Sequence, residues 1–203
     1  MTKLMMLSAG AAVATALLAG CSNETSDGTA GQETNPTTSS VTSSQAPTET
    51  HNDADVMFAQ HMIPHHQQAV EMSDVLLAKP DIDAQVRDLA TQIKDAQAPE
   101  IAQMQDWLTQ WGNPPMPPMD HGDMGHMQGM VSEADMTALR EAQGVEAAKL
   151  FLTHMIAHHE GAITMAKDEI RDGKNPAALE LARTIVSTQQ QEIDAMKQKL
   201  AAL

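Results

Sequence analysis

Histidine and methionine recur together in two blocks of the chain that share one pattern. The first block, FAQHMIPHHQQAVEM, begins at Phe58, and the second, FLTHMIAHHEGAITM, begins at Phe151. On a helix, the first two histidines of each block lie about one turn apart on the same side, a spacing with which one helix can bind a transition-metal ion. The repeat therefore predicts metal binding. The candidate ligands are His61, Met62, His65, His66 and Met72 in the first copy and His154, Met155, His158, His159 and Met165 in the second.

An ordinary structural role is the alternative for each of these histidines. A single histidine on an apolar helix face is more often a hydrogen-bonded core residue than a ligand. Burying several imidazoles without partners would destabilise the fold, because each ring loses its hydrogen bonds to water. The repetition of the whole pattern therefore favours metal binding.

Each block is followed by a second stretch of helical periodicity whose apolar face is interrupted by a glutamine and a glutamate. Gln97 and Glu100 interrupt the first stretch, and Gln189 and Glu192 interrupt the second in the same register. A buried carboxylate without a partner is costly, so each glutamate should reach solvent or meet a cation, a histidine or a metal. Glu100 and Glu192 are therefore candidate ligands. The competing role is a carboxylate that orients a ligand histidine.

A third group of metal-binding side chains lies between the two copies. Residues 112–131 are too rich in proline and glycine to form a regular helix. Thioether and imidazole groups bind Cu(I) and Ag(I), and a flexible segment can wrap such an ion. The alternative is a disordered linker whose methionines are incidental, but such a linker offers them no core to fill. The linker candidates are Met116, Met119, His121, Met124, His126, Met127 and Met130.

The composition favours helices and an acidic surface. The 203 residues include 16 Met but only two Phe, two Trp and no Tyr, so the core must be aliphatic, as is typical of helical proteins. The formal net charge of -15 argues against nucleic acid or anionic lipid as a partner. An acidic surface attracts cations, and solubility alone is the alternative role of this charge. The length allows one domain with tails.

The N-terminal segment reads as an export signal followed by a tether. Residues 1–20 have the charged start and short apolar run of a signal peptide. The sequence Leu18-Ala19-Gly20-Cys21 resembles a bacterial lipobox, which implies that Cys21 is lipidated and holds the protein on the outer face of a membrane. An uncleaved anchor is the alternative. Residues 21–52 are too polar to fold alone, so we expect a disordered tether. Cys21 is the single cysteine, which excludes an intrachain disulfide.

Turn signals divide the remainder into helices. The first helix is expected from about Asp53 to Ala78, with Asp53 or Asp55 near its cap and a bend at Pro64. The second is expected over about 82–111. Ser132 begins a capping box that opens a third helical region, 132–172, in which a break at residue 144 is plausible. A fourth helix is expected from about residue 176 to the C-terminus.

These elements make two hairpins, 53–111 and 132–203, joined by the linker 112–131. Neither hairpin can bury its apolar face alone, so the sequence predicts an all-α, four-helix bundle over residues 53–203. We expect the first two histidines of each block to face inward or toward an end of the bundle, near Glu100 and Glu192. These histidines are His61, His65, His154 and His158. A second, softer site is expected from Met62, His66, Met155 and His159.

Several spaced motifs together resemble the domain-of-unknown-function family 305. They are the HMIPHH and HMIAHH blocks, the QxxEIxxM motifs that begin at Gln97 and Gln189, and the WLxxWG motif that begins at Trp107. The resemblance covers about residues 53–203 and implies a ferritin-like bundle. Some members of that family are periplasmic or secreted copper-binding proteins linked to copper tolerance, so the resemblance also implies copper binding.

The sequence therefore predicts a lipid-anchored protein of the cell envelope that sequesters or delivers copper. Histidine with methionine and without thiolate favours Cu(I) and Cu(II) over other transition metals, which remain alternatives. A ferritin-like di-metal oxidase is a weaker alternative, because no Glu in the chain is followed by His three residues later. A helical module that binds a protein partner without metal is a third reading. A copper-accepting protein or a second copy of the chain are the other partners considered.

Overall fold

The structure is a computed structural model that describes residues 50–114 and 128–203, which belong to one compact unit, Gln45–Leu203. The described residues form five α-helices and no strand. The predicted all-α class is therefore confirmed. The helices are α1 (Asp53–Leu77), α2 (Ala84–Gln110), α3 (Glu133–Glu141), α4 (Gly144–Asp172) and α5 (Pro176–Ala202). The third helical region is divided into α3 and α4, so a short fifth helix accompanies the four long ones.

The helix starts follow local hydrogen-bonding chemistry, with one correction to the sequence reading. The cap of α1 is Asn52, not Asp53 or Asp55. The side chain of Asn52 accepts a hydrogen bond from the Asp55 backbone N–H at 3.1 Å, and the Asp55 carboxylate accepts one from the Asn52 N–H at 2.6 Å. Asp55 thus closes a capping box from inside the helix rather than acting as its cap. Ser132 is confirmed as a cap, because its hydroxyl oxygen accepts a hydrogen bond from the Asp135 N–H at 3.2 Å. The Asp135 carboxylate accepts from the Ser132 hydroxyl at 2.7 Å rather than closing the predicted box on the Ser132 backbone N–H.

Two hairpins pack face to face. Helix α1 pairs with α2 and α4 pairs with α5, while α1 also packs against α4 and α2 against α5. Helices α1 and α4 are antiparallel, because Asn52 at the start of α1 donates a hydrogen bond to the carbonyl of Asp172 at the end of α4. The two copies of the repeated block therefore face each other in opposite directions.

The core consists of two apolar clusters. The first contains residues such as Phe58, Met62, Met104, Leu108 and Ile185. The second contains residues such as Met72, Ile93, Met136, Phe151 and Met155. Each long helix contributes to both clusters, and on each helix the change from one cluster to the other falls at the polar residues of the repeated motifs.

Candidate metal centre

Eight polar residues lie where the two apolar clusters meet, and we call them the polar layer. They come in equivalent pairs from the two copies of the sequence: His65 and His158, His66 and His159, Gln97 and Gln189, Glu100 and Glu192. The four histidines and two glutamines are buried, and the two glutamates are partly exposed. Burial of so many polar side chains at the middle of a helical bundle is costly unless they have partners.

The rings of His65 and His158 are in contact at the centre of the layer. Their centroids lie 3.7 Å apart and their planes are inclined by 39°. The Nε2 atom of His65 lies 3.1 Å from the carbonyl oxygen of Gln128, which can only accept, so this nitrogen carries the proton. His65 Nδ1 and both ring nitrogens of His158 have no hydrogen-bond partner. Three nitrogens of the central pair are thus uncommitted.

Both central rings are held neutral. Burial, reinforced by the nearby His66 ring, lowers the pKa of His65 to about 3. Burial also lowers the pKa of His158 well below its ordinary value, with the neighbouring His65 ring acting in the same direction. A neutral imidazole offers a lone pair to a metal without first losing a proton.

The histidine that follows each central histidine in the sequence, His66 or His159, is bound to a carboxylate. His66 Nε2 lies 2.8 Å from Glu100 Oε2, and His159 Nε2 lies 2.7 Å from the equivalent oxygen of Glu192. Nε2–H donates to the carboxylate in each pair, which leaves Nδ1 of both rings as a buried acceptor without a partner. The glutamates therefore occupy the competing role considered from the sequence, orienting an imidazole through its ring N–H.

The two glutamines complete the layer, and neither is among the candidate ligands predicted from the sequence. Gln97 is 3% exposed and neither polar atom of its amide has a hydrogen-bond partner. The amide oxygen of Gln189 is likewise buried without a partner. Native interiors satisfy nearly all buried polar groups. Partnerless donors and acceptors concentrated in one layer therefore fit a site that takes a ligand. Among the described residues, however, no three His, Cys, Asp or Glu side chains converge closely enough to hold a metal ion.

The outer histidines do not join the central pair. His61 is half-buried in a pocket near the start of α1, beside Phe58 of the first apolar cluster. His154 lies on the side of the second cluster, with Nε2 4.0 Å from a carboxylate oxygen of Asp135. The expected grouping of His61, His65, His154 and His158 is thus separated into one central pair and two outlying rings.

The block methionines are mostly core residues. Met62 lies in the first apolar cluster, whereas Met72 and Met155 lie in the second, all fully buried. Met62 and Met155 are therefore not brought into one soft site with His66 and His159. Met165 is the exception, because it is half-buried and lines the same pocket as His61.

The end of the Met-rich linker is attached across the polar layer. Besides the contact of Gln128 with His65, the backbone of Val131 exchanges two hydrogen bonds with the side chain of Gln68, at 2.8 and 2.9 Å. Gly161 takes the position of Gln68 in the second copy. A Cβ atom there would lie 2.0 Å from the Gln128 carbonyl oxygen. Gln68 and Gly161 thus both contact or accommodate the end of the linker. In the sequence, a glycine inside a helix was the signal that another backbone approaches closely at that position.

Only one of the candidate ligands in the linker lies within the described residues. Met130 is described and half-buried. The remaining linker candidates and the lipidation site lie outside the described residues: Met116, Met119, His121, Met124, His126, Met127 and Cys21.

A separate pair of buried carboxyl groups lies where α1 begins and α4 ends. Asp55 accepts hydrogen bonds from the backbone N–H groups of Asn52, Lys174 and Asn175, at 2.6, 3.0 and 2.8 Å. Burial acts to raise the pKa of Asp55, but these bonds outweigh it and lower the pKa overall. Burial first, and then the hydrogen bond with Asp55, raises the pKa of Glu169 to about 8. Glu169 is therefore the protonated partner at neutral pH, and Asp55 the ionised one.

None of the helices in the described ranges is long and apolar enough to cross a membrane.

Comparison with known proteins adds the following relationships. Residues 55–200 match the family model described as Domain of unknown function (DUF305). No curated protein matches the chain.

Solved structures of the same architecture share about a third of the sequence. The crystal structure of a DUF305 fragment from Deinococcus radiodurans has 36% identity and a TM-score of 0.68, covering 75% of this chain and 98% of that one. A predicted secreted DUF305 protein from Streptomyces coelicolor has 37% identity and a TM-score of 0.67, covering 73% and 93%. CopM in its Cu(I)-bound form has 30% identity and a TM-score of 0.61, covering 73% and 96%. CopM has also been solved in Cu(II)-bound and Ag-bound forms.

Proposed function

The chain belongs to the DUF305 family, and we propose that it is an exported protein that binds copper in order to sequester or deliver it. The observation that carries this proposal is the polar layer. It contains four buried imidazoles from two equivalent motifs, each with at least one ring nitrogen that has no protein partner. His65 and His158 would hold the ion. His66 and His159 directly follow them in the two motifs, and each of these rings is bound to a carboxylate.

Copper is the metal that this donor set favours. The bundle supplies imidazole, amide and thioether groups, and residues 53–203 contain no cysteine. Imidazole binds Zn, Ni and Fe as well, but copper leads the series of divalent ions, and Cu(I) also accepts the thioethers. The solved copper-bound and silver-bound forms of CopM, at 30% identity, support the same choice.

The proposed location is the outer side of a membrane. The lipobox-like sequence at Cys21 would supply the lipid anchor, and a related protein from Streptomyces coelicolor carries the description of a secreted protein. Copper outside the cytoplasm is not buffered by cytosolic thiols, which makes a histidine and methionine site useful there. The protein would bind and release copper rather than catalyse a reaction, passing the ion to a copper-accepting protein.

The test is a titration of the full mature chain with Cu(I) and Cu(II) in competition with a chelator of known affinity. The informative variant is His65→Ala with His158→Ala. The matched control is His51→Ala, because His51 stacks on Trp111 at 4.7 Å outside the layer. We expect the double variant to bind one copper ion fewer than the wild type and the control to bind the full number, with helical content measured by circular dichroism in all three. Equal copper binding by all three proteins would contradict the proposal.

A further inference from the structure

Helix α3 covers only one of two equivalent faces of the bundle. It lies across the end of α1 and the start of α4, where Lys79 Nζ donates to the Arg140 carbonyl at 2.7 Å and Arg140 pairs with Glu71 at 2.8 Å. Met136 and Leu139 of α3 are fully buried in the second apolar cluster. The repeat generates a matching face from the start of α1 and the end of α4, and no described helix covers it.

That uncovered face contains a pocket of about 130 Å³, which we call the end pocket. Its lining includes Met57, His61, Met165, Asp168, Glu169 and Asp172.

Comparison of the two copies shows that the chemistry of this face has changed. The covered face has the sequence Met-x-x-Val-Leu-x-x-Lys from Met72 to Lys79, which packs against α3. The end pocket has Met-x-x-Asp-Glu-x-x-Asp from Met165 to Asp172 at the equivalent positions. Aliphatic side chains and a cation have thus been replaced by carboxylates. Met57 takes the place of Leu150, which adds a second thioether.

Several donor groups of the end pocket are uncommitted. No hydrogen bond or ion pair within the described residues engages the ring of His61. Met57 is 55% exposed, unusual for so large an apolar side chain in this bundle. Glu169 is 2% exposed and hydrogen-bonded to Asp55, so it is not a free ligand. Asp168 and Asp172 both pair with Arg171, so they add negative potential rather than free ligands.

We propose that the end pocket is a surface site for a soft monovalent cation, Cu(I) or Ag(I), bound by the imidazole of His61 and the thioethers of Met57 and Met165. Thioether and imidazole groups prefer soft ions, and the surrounding carboxylates attract any cation. The site is separate from the polar layer and open to solvent, so it would capture the ion first. This inference rests on the proposed copper-binding function.

The test uses Ag(I) as a redox-inert probe, added to the full mature chain with ¹³C-labelled methionine methyl groups. We expect the methyl resonances of Met57 and Met165 to shift together. The variant Met57→Leu, His61→Ala and Met165→Leu should bind one ion fewer than the wild type. The leucine changes conserve volume and so preserve packing. The matched control is His51→Ala, a histidine that stacks on Trp111 outside the pocket and should leave the full number of ions bound.

Two results would overturn the inference, and they are distinguishable from failure of the proposed function. If the triple variant binds as many Ag(I) ions as the wild type, or if the resonances of Met57 and Met165 do not move, the end pocket is not a site. Loss of copper from the His65 and His158 variant would then still support copper binding at the polar layer. If the wild-type chain binds neither Ag(I) nor copper, both proposals are wrong.

Discussion

Replacement of Glu169 by Gln should remove a pH dependence of the free energy of unfolding. Glu169 lies near the end of α4 and contacts Asp55 at the start of α1. Glu169 is 2% exposed and faces the Asp55 carboxylate, which is already held ionised by backbone N–H groups. Burial, together with Asp55, raises the pKa of Glu169 to about 8 from the ordinary value of 4.5. The native state therefore holds a proton that the unfolded chain releases at neutral pH.

The sign and size of the effect follow from this difference in pKa. Below pH 4.5 Glu169 is protonated in both states and contributes no pH dependence. Between pH 4.5 and about 8 the native state binds more protons than the unfolded chain, so the free energy of unfolding decreases as pH rises. Each unit of pKa difference corresponds to about 1.4 kcal/mol, which gives a total on the order of 5 kcal/mol above pH 8. The amide that Glu169→Gln introduces would donate to Asp55 without ionising.

The assay is urea unfolding of wild type and Glu169→Gln at intervals from pH 4 to pH 9. The difference between the two proteins cancels the titration of groups that do not interact with Glu169; Asp55 does interact with it, but its lowered pKa keeps it ionised in the native state over this range. We expect the variant to gain stability over the wild type as pH rises, with the largest gain above pH 8. The control is Glu160→Gln on the same helix, whose exposed carboxylate pairs with Lys197 at 3.6 Å. A difference between Glu169→Gln and wild type that is constant with pH would refute this account of the buried pair.

Three other predictions concern the polar layer and the linker. Gly161→Ala should displace the linker end, because its Cβ would lie 2.0 Å from the Gln128 carbonyl oxygen; urea unfolding should show a loss of about 1–3 kcal/mol, and unchanged stability would contradict the contact. Glu100→Gln should weaken copper binding by about 10- to 100-fold in chelator competition, because His66 loses the carboxylate that orients it. Glu192→Gln should weaken copper binding by a similar factor. Undiminished affinity in both variants would show that the carboxylates are structural. Copper at about 100 times its Kd should raise the free energy of unfolding by about 2.7 kcal/mol, as measured by thermal unfolding; no shift would favour the partner-binding reading.

Much of the fold could be predicted from the sequence because helical periodicity is local. The positions of Asp53, Ser132 and Pro176 at helix starts depend on short-range patterns and turn residues, and the structure agrees with them. The repeat also implied equivalent partners in the two halves, and the matching His66–Glu100 and His159–Glu192 contacts follow from it.

The grouping of the histidines could not be predicted in the same way. Periodicity places His61 and His65 on one side of α1, but it does not say how α1 is rotated against α4. The antiparallel packing places His65 opposite His158, and His61 one turn away in the end pocket. The attachment of Gln128 over His65 is a contact between residues distant in sequence, so no local pattern revealed it.

The asymmetry between the copies was also hidden from the sequence analysis. Glu169 and Leu76 occupy equivalent positions, yet only the packing of α3 shows that one face is covered and the other open. Copper as the ligand, the lipid anchor at Cys21 and the role of the Met-rich linker stay predictions.

The most direct test of the central claim is the ¹⁵N chemical shift of each histidine ring nitrogen before and after Cu(I) is added to saturation to the full mature chain. Cu(I) is diamagnetic, so the resonances of ligand rings remain observable. If the polar layer binds copper, Nδ1 of His65 and one nitrogen of His158 should shift, while those of His51 remain unchanged. Bound copper that leaves the nitrogens of His65 and His158 unshifted would contradict the claim.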